Sequence, residues 1–119
     1  MSTTLWQNVD PSVRYLWRKP VLTISALMVL AKEAPQDLMR WSSFVAQTEF
    51  SWQDTTLVLD AEGWQTLWFE MEIVNGLALA EWEEEGSPPD WSYPWCERYQ
   101  HDARGLVTEL LQLLAATNQ

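Results

Sequence analysis

The side chains of this sequence that could act together as a nucleophile and a base lie near its C-terminal end. Cys96 and His101 are the only cysteine and histidine of the chain, and Asp102 follows directly. A thiol activated by an imidazole, which a third group orients, is the usual arrangement of a cysteine nucleophile. Proximity in sequence says little about contact in space, and no glycine-rich turn precedes Cys96. We therefore interpret Asp102 as a helix N-cap, His101 as a surface residue, and the protein as a non-enzyme.

The sequence contains none of the usual motifs for binding a metal or a cofactor. One cysteine and one histidine are too few for a structural zinc site. The spaced Asp and Asn residues with a central glycine that form a calcium loop are absent, and so are the phosphate-loop and dinucleotide motifs. We predict no cofactor and no metal. Paired carboxylates for glycoside hydrolysis stay open, because a sequence does not give their separation in space.

The charges of the chain are segregated along its length, and the formal net charge is −10 at pH 7. Residues 1–48 contain five basic and three acidic residues, whereas residues 49–119 contain two basic and fourteen acidic residues. Such segregation creates a directional field that attracts cationic partners and repels nucleic acid and anionic membranes. We predict a basic protein partner and no binding to nucleic acid or membrane. The alternative is that the acidic charge serves solubility alone.

Aromatic residues follow the densest run of carboxylates. Trp91, Tyr93 and Trp95 lie in a proline-containing segment just after residues 81–85. A loop in this segment would expose at least one ring, and rings beside carboxylates bind Arg and Lys side chains by packing and cation–π contacts. The alternative is that the rings cover the end of a sheet. Four other tryptophans are predicted to be core or core-edge residues: Trp17, Trp41, Trp64 and Trp82.

A β-hairpin is predicted to position the glutamates. Residues 65–74 and 77–83 alternate as two strands do, and Asn75 and Gly76 between them form a typical two-residue hairpin turn. Residues 56–60 are predicted as a further short strand, followed by a turn at residues 60–63. The glutamates would then lie on one face of an antiparallel sheet.

The hairpin register places Glu70 directly opposite Glu81, on the same face as Trp68. Like charges in opposite positions destabilise a sheet, so fold stability does not account for this pair. We interpret the face as an acidic binding surface, and the alternative is a solvated face whose charges prevent edge-to-edge aggregation. The opposite face is predicted to pack against the core: Phe69, Met71, Ile73, Ala78, Ala80 and Trp82.

Helices are predicted before and after the strands in the sequence, packed on one face of the sheet. The first begins at Thr23 or Ser25, runs to about Ala34 and is apolar nearly all round, which predicts burial. Pro35 ends it, and a second helix follows with Asp37 in its first turn. A third, amphipathic helix is predicted over residues 102–116.

Together these elements predict one α+β domain over residues 1–119. An antiparallel β-meander of about three to four strands would pack against N-terminal helices and a C-terminal amphipathic helix. The first twenty residues are a mixed start, with a turn at residues 10–12 and a short strand or helical turn at residues 13–17.

The chain is predicted to be cytoplasmic. Its single cysteine excludes an intrachain disulfide, which fits a reducing compartment. The apolar run at residues 21–31 is too short to cross a bilayer, which takes about 20 helical residues. Arg18 and Lys19 precede this run as in a signal peptide, but they follow a long leader with aromatic residues, and no cleavage site follows.

These observations favour a binding protein that neutralises or escorts a basic protein partner, with the surface character of an immunity protein or antitoxin against a nuclease toxin. The alternatives are a small enzyme or ligand-binding domain with a tryptophan-lined pocket, and a secretion-type chaperone or assembly subunit. Both monomer and homodimer fit. The predicted partner-binding residues are Trp68, Glu70, Glu72, Glu81, Glu83, Glu84, Glu85, Trp91, Tyr93 and Trp95.

Overall fold

A computed structural model of the chain describes residues 23–114, and within them the fold is helical. The only β-type pairing in that range is an isolated antiparallel bridge between Val58 and Leu114. The predicted α+β fold with a β-meander is therefore wrong. The five α-helices of residues 23–114 are α1 (Ile24–Glu33), α2 (Leu38–Thr48), α3 (Ala61–Glu84), α4 (Ser92–Arg98) and α5 (Gln100–Leu111).

Helix α3 occupies the whole segment that was predicted as a hairpin. It has 24 residues, which corresponds to a length of about 36 Å. Asn75 does not begin a turn; it is buried in the helix, where its Nδ2 donates to Glu72 Oε1 at 3.1 Å. The predicted turn at residues 60–63 is instead the start of α3, because Asp60 caps the helix by accepting from the backbone N–H of Gly63 at 2.9 Å.

The inner face of α3, which packs against the other helices, explains why a helix forms here. Its residues recur every three or four positions, which places them on one side of a helix but on both sides of a strand. Burying these large side chains outweighs the helix cost of Asn75 and Gly76, since interior glycine is about 1 kcal/mol worse than alanine. The inner face consists of Trp64, Trp68, Met71, Asn75, Ala78 and Trp82.

The N-terminal helices match the sequence prediction more closely. Thr23 caps α1, its hydroxyl oxygen accepting from Ala26 N at 3.0 Å. A 3₁₀ turn at Ala34–Gln36 contains Pro35 and separates α1 from α2, and Asp37 is the N-cap of α2. The expectation that α1 is buried nearly all round is wrong, because Met28 and Val29 are 45% and 57% exposed.

Three indole hydrogen bonds join α2 to α3. Trp68 Nε1 donates to Val45 O at 2.8 Å. Two further bonds follow the same interface: Trp64 Nε1 donates to Thr48 O at 3.3 Å and Trp41 Nε1 donates to Met71 O at 3.1 Å. Later residues of α2 bond to earlier residues of α3, so the two helices run antiparallel.

The C-terminal helices α4 and α5 pack against the turn between α1 and α2. The carbonyl oxygen of Pro35 accepts from Trp95 Nε1 at 2.8 Å and from Gln100 Nε2 at 3.0 Å. Ala103, Val107 and Leu110 of α5 are buried in the same core. The amphipathic C-terminal helix is thus confirmed, although it begins at Gln100, so Asp102 lies in its first turn and is not its cap.

Helix α3 ends in a left-handed turn. Gly86 and Ser87 have φ angles of 93° and 53°, and their N–H groups donate to Glu83 O at 3.0 Å and Trp82 O at 2.9 Å. This pair of bonds satisfies carbonyl groups that a helix end otherwise leaves unpaired. The predictions for residues 1–22, which include Trp17, Arg18 and Lys19, lie outside the described residues. The C-terminal helix ends at Leu111, so its predicted continuation to residue 116 is wrong over residues 112–114.

Candidate functional site

Four glutamates crowd the C-terminal end of α3, and we call them the acidic helix end: Glu81, Glu83, Glu84 and Glu85. The carbonyl groups at this end of a helix carry partial negative charge, which disfavours nearby carboxylates. The first turn of α3, where a carboxylate is favourable, contains only Glu62. Helix stability therefore does not account for the placement of these four side chains.

Arg98, the last residue of α4, is the cation paired with the acidic helix end. Its Nη1 donates to Glu81 Oε1 at 2.9 Å and to Glu85 Oε2 at 3.1 Å. These hydrogen bonds, above all the one to Glu85, raise the pKa of Arg98 above its usual value. Glu83 and Glu84 are exposed and have no salt bridge within residues 23–114. Counting the described residues alone, the acidic helix end thus keeps a net negative charge.

Glu85 connects this charge to the aromatic residues. Trp91 Nε1 donates to Glu85 Oε1 at 2.7 Å. This bond, followed by the bond from Arg98, lowers the pKa of the Glu85 carboxyl below its usual value. Tyr99 stacks on Trp91 with ring centroids 6.2 Å apart. Burial, and then the nearby Glu81 carboxylate, raises the pKa of the Tyr99 phenol to about 12.

The predicted aromatic loop is a short helix, and its rings differ in exposure. Residues 92–98 form α4, in which Pro94 belongs to the first turn, where its missing N–H removes no helical hydrogen bond. Trp95 is 0% exposed and Trp91 is 6% exposed, so both rings pack in the core. Tyr93 is 71% exposed and is the ring of this segment that a partner can contact directly.

The remaining predicted site residues lie further along α3. Trp68 is partly buried against α2, while Glu70 and Glu72 are exposed. Glu70 does not face Glu81 as the hairpin register required. Eleven residues separate the two within one helix, which places them about 16 Å apart along its axis. The structure therefore brings the predicted glutamates to two places on α3 and not to one sheet face.

A groove of about 460 Å³ opens beside the acidic helix end. Trp82 and Trp91 line it together with Pro88 and Pro89. Asp90 stands at its edge, and hydrogen bonds from the hydroxyl and N–H of Ser92 lower the pKa of the Asp90 carboxyl. The sequence did not predict three other lining residues, because they come from α2 and its cap and lie far from the acidic helix end in the sequence: Asp37, Leu38 and Met39.

The candidate nucleophile set does not assemble. Cys96 is exposed, and its Sγ donates to Gln100 Oε1 at 3.3 Å. His101 and Asp102 line a different groove, between α3 and α5. No group of three or more histidine, cysteine, aspartate or glutamate side chains in the described part of the chain is arranged to hold a metal ion.

Comparison with protein-family models, with curated proteins and with solved structures gave no match to this chain. Among the helices of residues 23–114, none combines the length and the apolar character needed to span a membrane. The fold and the site together define an all-helical unit with a concentrated acidic surface.

Proposed function

We propose that this protein is an acidic binding module that neutralises or escorts a basic protein partner. The observation that carries the proposal is the acidic helix end, where four carboxylates gather at the helix terminus that disfavours them, with Arg98 as their paired cation. A cationic partner would relieve both the repulsion among the carboxylates and their unfavourable interaction with the helix dipole.

The surroundings of the acidic helix end support a protein partner in particular. Tyr93 offers an exposed ring, and rigid aromatic side chains often carry a large share of interface affinity. The groove formed with Trp82 and Trp91 combines apolar lining residues with the carboxylate of Asp90. An arginine or lysine side chain of a partner would pack its alkyl stem against the partly exposed Trp82 ring and place its charge near the Asp90 carboxylate.

The test is an affinity capture from native lysate at low and high salt, with bound proteins identified by mass spectrometry. The variant Glu83→Gln/Glu84→Gln removes two exposed charges from the acidic helix end. The control Glu49→Gln/Glu62→Gln removes the same charge from exposed positions elsewhere. We expect the wild type and the control to retain a basic protein, and the acidic-end variant to bind it about tenfold more weakly.

High salt should release the partner from both proteins that retain it, because screening weakens exposed charge pairs. Equal retention by all three proteins, or retention of no basic protein, would contradict the proposal.

A further inference from the structure

A second surface of α3 is apolar and is not covered by the rest of the described chain. Phe69, Ile73 and Leu77 are 59%, 45% and 58% exposed. They follow one another at intervals of four residues, so they form a continuous stripe on one side of the helix. We call this stripe the outer face of α3. Single exposed apolar residues are ordinary, but contiguous ones mark interaction sites.

The outer face borders a groove between α3 and α5, with a volume of about 430 Å³. Its apolar lining comes from Ile73 and Val74 of α3 and from Leu106 of α5. Its charged lining is acidic: Glu70, Asp102 and Glu109. None of these three carboxylates has a salt bridge within residues 23–114, and no lysine or arginine lines the groove.

Gly105 lies in the same groove, and the fold does not require a glycine there. It is in the interior of α5, its φ is not positive, and a Cβ atom at this position would meet nothing within 4 Å. Gly76 in α3 shares all three properties. Since an interior glycine is about 1 kcal/mol less favourable than alanine, both residues lower helix stability. What glycine provides is room for another backbone to approach closely.

We propose that the outer face and the α3–α5 groove bind an amphipathic, basic helix of the partner protein. This inference rests on the proposed function and specifies the structural element that the partner presents. The apolar side chains of such a helix would pack on Ile73 and Leu77, and its Lys or Arg residues would reach Glu70, Asp102 and Glu109. Recognition of one helix face by an apolar groove is a recurrent mode of peptide binding.

The charge of the groove favours a basic partner helix over a second copy of the chain as its occupant. A second copy would bring the same acidic groove against itself, and like charges at an interface disfavour association. A basic helix instead pairs its cations with the three groove carboxylates and covers the apolar stripe with its own apolar side. The partner of stated chemistry is therefore favoured over self-association.

The experiment measures binding of a synthetic probe to the full chain. The probe is an 18-residue peptide of leucine and lysine, with leucine at helical spacing on one side. A second peptide has the same composition in an order that gives no apolar face. We expect the amphipathic peptide to bind at least about tenfold more tightly than the scrambled one, because only the former combines the charge with an apolar side.

Two variants and one control locate the binding site. Gly105→Leu fills the groove and should keep the helix intact, since leucine is the better helix former. Leu77→Gln interrupts the outer face. Both should weaken binding of the amphipathic peptide about tenfold or more. Met28→Gln, at a 45% exposed apolar position of α1, should leave the binding unchanged. Circular dichroism spectra of all variants establish that they are folded.

Several outcomes would overturn the inference. Equal affinity for the two peptides means that charge alone drives binding, and an unaffected Gly105→Leu variant means that the groove is not used. A concentration-dependent dimer that Leu77→Gln dissociates would assign the face to a second copy. Tighter peptide binding by the full-chain variant Arg14→Gln/Arg18→Gln/Lys19→Gln would assign it to the chain's own N-terminal segment.

The proposed function is tested separately from the groove inference, by capture of a basic protein. Glu83→Gln/Glu84→Gln should weaken capture of the basic protein while leaving the preference for the amphipathic peptide over the scrambled one unchanged. A lost preference in the wild type with intact salt-sensitive capture would overturn the groove inference alone. An intact preference without capture of a basic protein would overturn the function proposed for the acidic helix end.

Discussion

The inner and outer faces of α3 both carry large apolar side chains, yet the described chain covers only one of them. On the inner face Trp64 and Met71 are fully buried. On the outer face Phe69 and Leu77 are more than half exposed. The difference does not lie in apolar character. The difference lies in Trp64 and Trp68, because their indole N–H groups find backbone acceptors on α2.

These hydrogen bonds constrain how α3 is rotated about its axis. An apolar side chain can pack in many orientations, but an indole N–H that leaves water needs an acceptor at a defined position. Trp64 and Trp68 of α3, and Trp41 of α2, supply three such constraints across one interface. The outer face lacks a comparable constraint within residues 23–114, which leaves its apolar side chains free to meet a partner.

The largest expected effect comes from shortening one apolar side chain on each face. Met71→Ala removes a fully buried side chain and should lower the free energy of unfolding by about 2–5 kcal/mol. Ile73→Ala removes a 45% exposed one and should change it by less than about 0.5 kcal/mol, because alanine's helix propensity offsets the lost contacts. Urea denaturation followed by circular dichroism measures both values.

Equal losses for the two variants would contradict the assignment of the faces. If Ile73→Ala destabilised the chain as strongly as Met71→Ala, the outer face would be buried in the free protein.

A smaller effect is expected from removing one indole hydrogen bond. Trp68→Phe keeps a ring against α2 but deprives Val45 O of a donor now 2.8 Å away. We expect the free energy of unfolding to fall by about 1–2 kcal/mol. Tyr93→Phe, which alters a 71% exposed ring, is the control and should have no measurable effect on stability. A Trp68→Phe variant as stable as the wild type would show that packing alone orients α3.

The smallest effect concerns pH and the end of α3. The hydrogen bond from Trp91 keeps the pKa of Glu85 below the usual 4.5. Since the folded-state pKa is the lower one, the stabilisation is complete above about pH 4.5 and is lost as the pH falls through the folded-state value. An NMR titration of the Glu85 carboxyl should give a midpoint below 4.5. Trp91→Phe should move that midpoint towards 4.5.

Replacing Arg98 with glutamine should also raise the same midpoint, because the hydrogen bond and the charge of the arginine both lower the pKa of Glu85. A midpoint unchanged by Trp91→Phe would indicate that the indole does not stabilise the carboxylate.

The parts of the fold that sequence predicts well are those with local signals. Thr23 caps α1 as predicted, and Pro35 lies between α1 and α2. Asp37 lies at the start of α2, although as its cap and not in its first turn as predicted. The hairpin prediction for the α3 segment is wrong because the outer face of this helix is also apolar. Apolar residues therefore occur often enough to fit the period of two that is typical of strands. Asn75 and Gly76 then suggested a hairpin turn, whereas burial of the tryptophans favours the helix. That balance depends on α2, which a local pattern does not include.

The candidate site was predictable in composition but not in geometry. The glutamates near residue 81 and the aromatic residues that follow them are evident in the sequence. Which rings are buried depends on distant acceptors: Trp95 donates to Pro35, sixty positions earlier. The α3–α5 groove requires the helix pairing to be known, so Gly105 and Leu106 carried no signal in the sequence alone.

The carbonyl group of Pro35 has a consequence for how the chain acquires its structure. Its two side-chain donors come from residues 95 and 100, so this acceptor is satisfied only after most of the polypeptide has been synthesised. Contacts of such long sequence separation slow folding, since the entropy of closing the loop is lost before the contacts form. A nascent chain that has emerged only as far as α3 would therefore expose its turn between α1 and α2 to solvent. We expect it to resist protease only after α4 and α5 have left the ribosome.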